Sequence, residues 1–85
     1  MEKHWCFTKQ NNQYLLRNDK NFLVDNEEGT CELLNGKIIY IDEVYVVSVF
    51  DTHISVTLCN GSKFIITDSR DIEKFINWIE KFMCQ

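Results

Sequence analysis

The sequence predicts a mainly β chain of the α+β kind: a strongly bent antiparallel sheet, or a partly open barrel, of about seven strands packed against one C-terminal amphipathic helix. Three observations predict it. Short runs rich in Val, Ile, Phe and Tyr fill the chain as far as Thr67, separated by clusters of Asn, Asp and Gly, as strands are separated by turns. Two Asn-Gly pairs, Asn35-Gly36 and Asn60-Gly61, each lie between such runs and mark hairpins. After Asp68 the apolar residues change from alternate spacing to spacings of three and four.

The early strands are short. His4 to Thr8 forms the first run, with Trp5 and Phe7 alternating against His4 and Cys6, and Gln10 to Gln13 is a polar turn. Tyr14 to Arg17 is a second run, and Asn21 to Asp25, centred on Phe22, Leu23 and Val24, is a third. Asn26 to Gly29 turns the chain again.

The next two runs, Thr30 to Leu34 and Lys37 to Ile41, flank Asn35-Gly36. A two-residue type I′ loop there pairs Leu33 with Ile38 and Cys31 with Tyr40, which places all four on one apolar face. Val44 to Phe50 follows Asp42-Glu43. Its alternation turns Val44, Val46 and Phe50 one way and Tyr45, Val47 and Val49 the other, so it belongs at the centre of a sheet or in a strongly curved one. Asp51-Thr52-His53 leads into Ile54 to Cys59. For the last hairpin a two-residue loop would set Val56 opposite Ile65. A three-residue loop, Cys59 to Gly61 with Gly61 left-handed, pairs Val56 with Phe64 and Ile54 with Ile66 and keeps five apolar residues on one face. A slip of one residue reverses every side chain, so the second form is expected.

A single helix is expected over residues 68–85, with 1–67 as sheet, in one domain spanning 1–85. Ile72, Phe75, Ile76, Ile79, Phe82 and Met83 form one stripe of a 3.6-residue helix. Asp68 or Ser69 caps its start, and Asp71 and Glu73 in the first turn suit the dipole. Trp78 lies on the flank of the stripe, as a core-edge residue or a half-exposed partner contact.

The chain has 85 residues and a net charge of -4. The excess sits in the middle third, where Glu27, Glu28, Glu32, Asp42, Glu43 and Asp51 face Lys37 alone. That distribution argues against direct nucleic-acid binding, which needs clustered Lys and Arg. It argues equally against an anionic membrane surface. No apolar run approaches the length of a membrane span, and no apolar leader is visible at the N-terminus. The expected setting is therefore cytoplasmic.

The four cysteines, Cys6, Cys31, Cys59 and Cys84, are far apart and form no C-x-x-C. Reduced thiols are expected, with Cys31 and Cys59 as small buried apolar residues and Cys84 as the most exposed. No zinc site or other metal site is expected, and no cofactor. Asp42-Glu43 alone is too small an oxygen set for a hard cation. Asp51 and His53 have the spacing of a carboxylate-oriented imidazole, but such pairs are common in turns. No phosphate loop, G-x-S-x-G or H-E-x-x-H is present. No catalytic residue is assigned, and a non-enzymatic role is expected.

A chain of strands ending in one helix that carries an aromatic, here Trp78, resembles the pleckstrin-homology-like superfold over nearly the whole chain. The resemblance implies a small barrel closed by the helix. It does not extend to lipid headgroup binding, because the basic first hairpin of such members is missing here. A shorter stretch, LNGK followed by VTLCNGSKFIITDS and a helix, is similar to the small flagellar FlbD-type proteins.

Small size, no catalytic set and an acidic middle third flanked by aromatics point to a protein that binds another protein. The natural complement is a basic surface. One concrete form is an inhibitor that occupies the basic surface of a nucleic-acid-handling enzyme, the strategy of immunity proteins and phage anti-defence proteins. The expected contact residues are Glu27, Glu28, Asp42, Glu43 and Asp51, with Tyr40 or Tyr45 as aromatic anchors and Trp78 as the partner-binding residue on the helix flank. The alternative is an adaptor or self-assembling module that pairs through a sheet edge or the helix flank, as a homodimer for instance.

Overall fold

The computed structural model describes residues 6–17 and 29–84. Five strands form one antiparallel sheet in the order β1 (Cys6–Gln10), β2 (Gln13–Arg17), β5 (Val44–Val49), β6 (Ile54–Leu58), β7 (Lys63–Ile66). Two more, β3 (Thr30–Glu32) and β4 (Ile38–Tyr40), form a separate antiparallel pair. The helix α1 (Ser69–Ile79) follows β7. The mainly β architecture with a C-terminal helix is thus the expected one, and the sheet is not closed into a barrel. The run predicted at Asn21 to Asp25, together with His4 and Trp5, lies outside the described residues.

The inner face of the large sheet carries Phe7, Tyr14, Val44, Val47, Ile54, Val56 and Ile66, all buried. Cross-strand pairs align them: Tyr14 faces Val47, Val47 faces Val56, and Ile54 faces Ile66. The run at Val44 is indeed the central strand, third of five. Its simple alternation is corrected by a register shift between Val44 and Val46, where Tyr45 is the extra residue. A bulge of this kind lets Val44 and Val47 share the inner face and turns Tyr45 out to solvent.

The two Asn-Gly loops adopt one geometry. Around Gly61, Leu58 donates its N–H to the Ser62 carbonyl at 2.7 Å and Gly61 donates to the Leu58 carbonyl at 2.9 Å. Gly61 has φ of +92°. This is the three-residue loop expected, with Val56 opposite Phe64 and Ile54 opposite Ile66. Around Gly36 the same bonds recur: Leu33 N–H to the Lys37 carbonyl at 2.8 Å, and Gly36 N–H to the Leu33 carbonyl at 2.9 Å.

The two-residue loop expected at Asn35-Gly36 is therefore corrected. Cys31 pairs with Ile39 and Glu32 with Ile38. The physical reason is burial: this register puts Cys31, Leu33 and Ile39 in the core and leaves Glu32, Ile38 and Tyr40 outside. Lys37 lies at the hairpin tip and sets its Nζ 3.7 Å from the centroid of the Phe64 ring, a cation–π contact that seats the hairpin beside β7.

Asp68 caps α1, its Oδ1 accepting the Arg70 N–H at 2.8 Å. The stripe faces the sheet, with Phe75, Ile79 and Phe82 buried and Ile72, Ile76 and Met83 packed against the core. Each fully buried side chain of this size contributes about 2 kcal/mol of apolar transfer. The helix is shorter than expected. It ends at Ile79, a 3-10 turn covers Glu80–Phe82, and Met83 then runs extended. Met83 makes a parallel bridge with Phe7, and the Cys84 N–H donates to the Phe7 carbonyl at 2.8 Å. The tail thereby lies along the outer side of β1 and brings Cys84 to Cys6.

Cys6 and Cys84 form a disulfide with Cα atoms 4.9 Å apart. The expectation of four reduced thiols, with Cys84 the most exposed, is corrected. The spacing of the two residues carries no sign of the pairing, which depends on the tail returning to β1. Cys31 is a free, buried thiol as expected, whereas Cys59 is exposed because it belongs to the turn and not to β6.

Candidate protein-binding surface

Ile41–Glu43 form a 3-10 turn between β4 and β5. Ile41 is buried and anchors the turn, and its N–H donates to the Gly29 carbonyl at 2.8 Å. The Glu43 carbonyl accepts the Cys59 N–H at 2.8 Å, tying the turn to the loop after β6. With its backbone held, the turn keeps Asp42 and Glu43 at the exposed surface. Tyr40 precedes it and is 47% exposed; Tyr45, on the bulge, is 55% exposed. Two carboxylates and two phenol rings thus occur within one short, fixed segment.

The other expected contact residues are placed elsewhere. Asp51 is exposed but lies beyond the far end of β5, a six-residue strand roughly 20 Å long, so it does not join Asp42 and Glu43. Glu27 and Glu28 lie outside the described residues. Trp78 is only 6% exposed and packs between Phe75 and Phe82, with ring centroids 5.4 and 5.7 Å away. It is a core residue, and the half-exposed contact is corrected.

Sequence reasoning missed two exposed apolar residues of the hairpin. Ile38 and Leu34 are exposed, and Ile38 shares the outer face of β4 with Tyr40. The signal that finds them is the three-residue loop, already legible at Asn60-Gly61 and repeated at Asn35-Gly36.

Three polar contacts hold the site's surroundings. Asp71, in the first turn of α1, is buried and accepts the Leu34 N–H at 3.0 Å, so it binds the hairpin to the helix. Lys74 Nζ donates to the Glu32 carbonyl at 2.7 Å. Tyr14 donates its hydroxyl to Glu80 Oε2 at 2.9 Å; burial first, then the Glu80 carboxylate, push the phenol up to about 12. Burial also raises the Cys31 thiol; Lys74 opposes the rise and Asp71 adds to it. A buried, protonated thiol of this kind is a poor nucleophile.

His53 shares a hydrogen bond with Thr52 Oγ1 at 3.0 Å and stacks on Phe50 at 4.8 Å, so its ring is oriented by those neighbours. His4 lies outside the described residues. Among the described residues no three His, Cys, Asp or Glu side chains gather as a metal site, and no helix is long and apolar enough to cross a membrane.

Comparison of the chain with protein-family models, with curated proteins and with solved structures finds no match.

Proposed function

We propose that this chain acts by binding another protein through the Tyr40–Tyr45 segment, and that the partner presents a basic surface. One observation carries the reading: Asp42 and Glu43 stand exposed on a turn whose backbone is pinned on both sides, between two half-exposed tyrosines. Pre-positioned carboxylates steer a basic partner, and tyrosines add contact area at small entropic cost. In its concrete form the chain is a non-enzymatic inhibitor that covers the basic surface of a nucleic-acid-handling enzyme. The cytoplasmic setting belongs to the same proposal. Trapping the thiols of protein taken directly from its host tests that setting, since a fully oxidised Cys6–Cys84 pair would place the chain in an oxidising compartment instead.

The test captures partners from the host with the whole chain and with the double variant Asp42→Lys, Glu43→Lys. Reversing both charges is expected to weaken the complex at least tenfold, and raising salt to weaken the unmodified complex in the same direction. A complex indifferent to both changes removes the reading.

A second reading, self-assembly, is supported by β7. It ends the strand order of the large sheet and carries the exposed Ile65. Solution mass decides it: a dimer that Ile65→Lys converts to monomer favours this reading over the first.

A further inference from the structure

A second surface lies on another part of the molecule, between β3 and α1. Across the hairpin Leu33 donates its N–H to the Lys37 carbonyl, and Ile41 donates its N–H to the Gly29 carbonyl. By the alternation of an antiparallel ladder, Thr30 and Glu32 turn their peptide groups the other way, toward the helix. No strand pairs with that edge among the described residues. The Glu32 carbonyl is met there by the ammonium of Lys74.

Between this edge and the helix runs a groove of about 460 Å³. Its floor is Cys31 and the edge of Trp78, and its helical wall is Lys74, Asn77 and Lys81. The volume falls in the range of ligand clefts. The groove extends along a three-residue strand, about 10 Å. Lys74 is on α1 and Lys81 on the 3-10 turn that follows it, about 11 Å further along the helical path. The chain as a whole carries a charge of -4, yet this wall is basic. Neither lysine meets a carboxylate among the described residues. The Glu32 side chain points away, on the outer face of the hairpin with Ile38.

We infer that this groove binds an extended acidic peptide segment of a partner protein, which adds to β3 as a further strand and sets its carboxylates against Lys74 and Lys81. The outward peptide groups of Thr30 and Glu32, the Glu32 carbonyl once Lys74 releases it, supply main-chain hydrogen bonds that any sequence can accept. The two lysines select for acid. Lys74 exchanges a neutral carbonyl for a carboxylate, a stronger charge-assisted bond. The groove is distinct from the Tyr40–Tyr45 segment, so either surface can fail alone.

The test pans a library of random seven-residue peptides against the whole chain. Selected peptides are expected to carry Asp or Glu and to bind Lys81→Glu at least tenfold more weakly. Lys81 is exposed and makes no bond that the fold relies on among the described residues, so the variant folds. Methylating alternate backbone amides of a selected peptide is expected to abolish binding, because strand addition needs those N–H groups. The double variant Asp42→Lys, Glu43→Lys is expected to bind the same peptides unchanged. Selection of no peptide, selection without acidic residues, or equal binding to Lys81→Glu overturns the proposal. So does binding that survives amide methylation. A concentration-dependent dimer lost in Lys81→Glu would assign the groove to a second copy of the chain, and would overturn it as well.

Discussion

Tyr14 shows how much a single buried polar group decides here. Its ring fills the inner face of the sheet opposite Val47, and its hydroxyl must find an acceptor because water is excluded. Glu80 supplies one from the turn that ends the helix. The contact therefore ties the second strand to the last turn of the chain. Because the folded phenol ionises at about 12 against 10 for a free tyrosine, the fold favours the neutral form. Its contribution to stability is complete below pH 10 and is lost as pH rises through 12. Alkaline titration of tyrosinate absorbance is expected to show one late step that Tyr14→Phe removes. The same variant is expected to cost about 1 kcal/mol in a denaturant melt at neutral pH. Asp68 has the opposite sign. Arg70 and the helix N-terminus hold its carboxyl down to about 2, so the cap persists until pH falls below the range in which a free aspartate titrates. Asp71 was readable only as a first-turn acid suited to the helix dipole. Its larger role, accepting the Leu34 N–H, depends on a hairpin brought to it by the fold.

At the scale of elements, two loops with the same Asn-Gly core behave alike. In each, the Asn side chain accepts the N–H two residues on, Asn35 from Lys37 at 3.0 Å and Asn60 from Ser62 at 2.8 Å. In each, the glycine takes a left-handed φ. The register of the second hairpin was legible because only one loop length keeps Ile54, Val56, Leu58, Phe64 and Ile66 together. The first hairpin offered no such contrast, since both of its faces are partly apolar and either loop length gives an apolar row. Which face is buried was settled by what packs on it, the helix and the inner sheet. A Cβ at Gly61 meets nothing within 4 Å, so Gly61→Ala tests the backbone alone. The variant is expected to lose about 1 kcal/mol in a thermal or denaturant melt, with the sheet retained by circular dichroism. A loss near zero would mean that the loop relaxes to another turn type.

For the whole molecule, the end of the chain is the deciding feature. The 3-10 turn after α1 redirects the backbone, Met83 bridges to Phe7, and Cys84 closes on Cys6. The disulfide spans a sequence separation of 78 residues, so it constrains nearly the entire unfolded chain. Loop-closure entropy of that kind stabilises by about 2–4 kcal/mol. Reductant is expected to lower the denaturation midpoint of the unmodified chain accordingly. Cys84→Ser is expected to show the lowered midpoint from the start and no response to reductant. A midpoint unchanged by both would mean that the tail docks through Phe82 and Met83 without help from the bridge. The tail also covers the outer side of β1, and among the described residues no strand pairs with the far side of β7.

By itself the sequence determined the mainly β class, the terminal amphipathic helix and the register of the last hairpin. Each of these follows from local periodicity or local turn chemistry, which a single chain displays directly. Only the tertiary structure decided that Trp78 is buried and that Asp51 stands apart from Asp42 and Glu43. It also decided that β3 faces a basic groove and that Cys6 meets Cys84. Those facts depend on which distant segments come together, and non-local packing leaves no periodic trace along the chain.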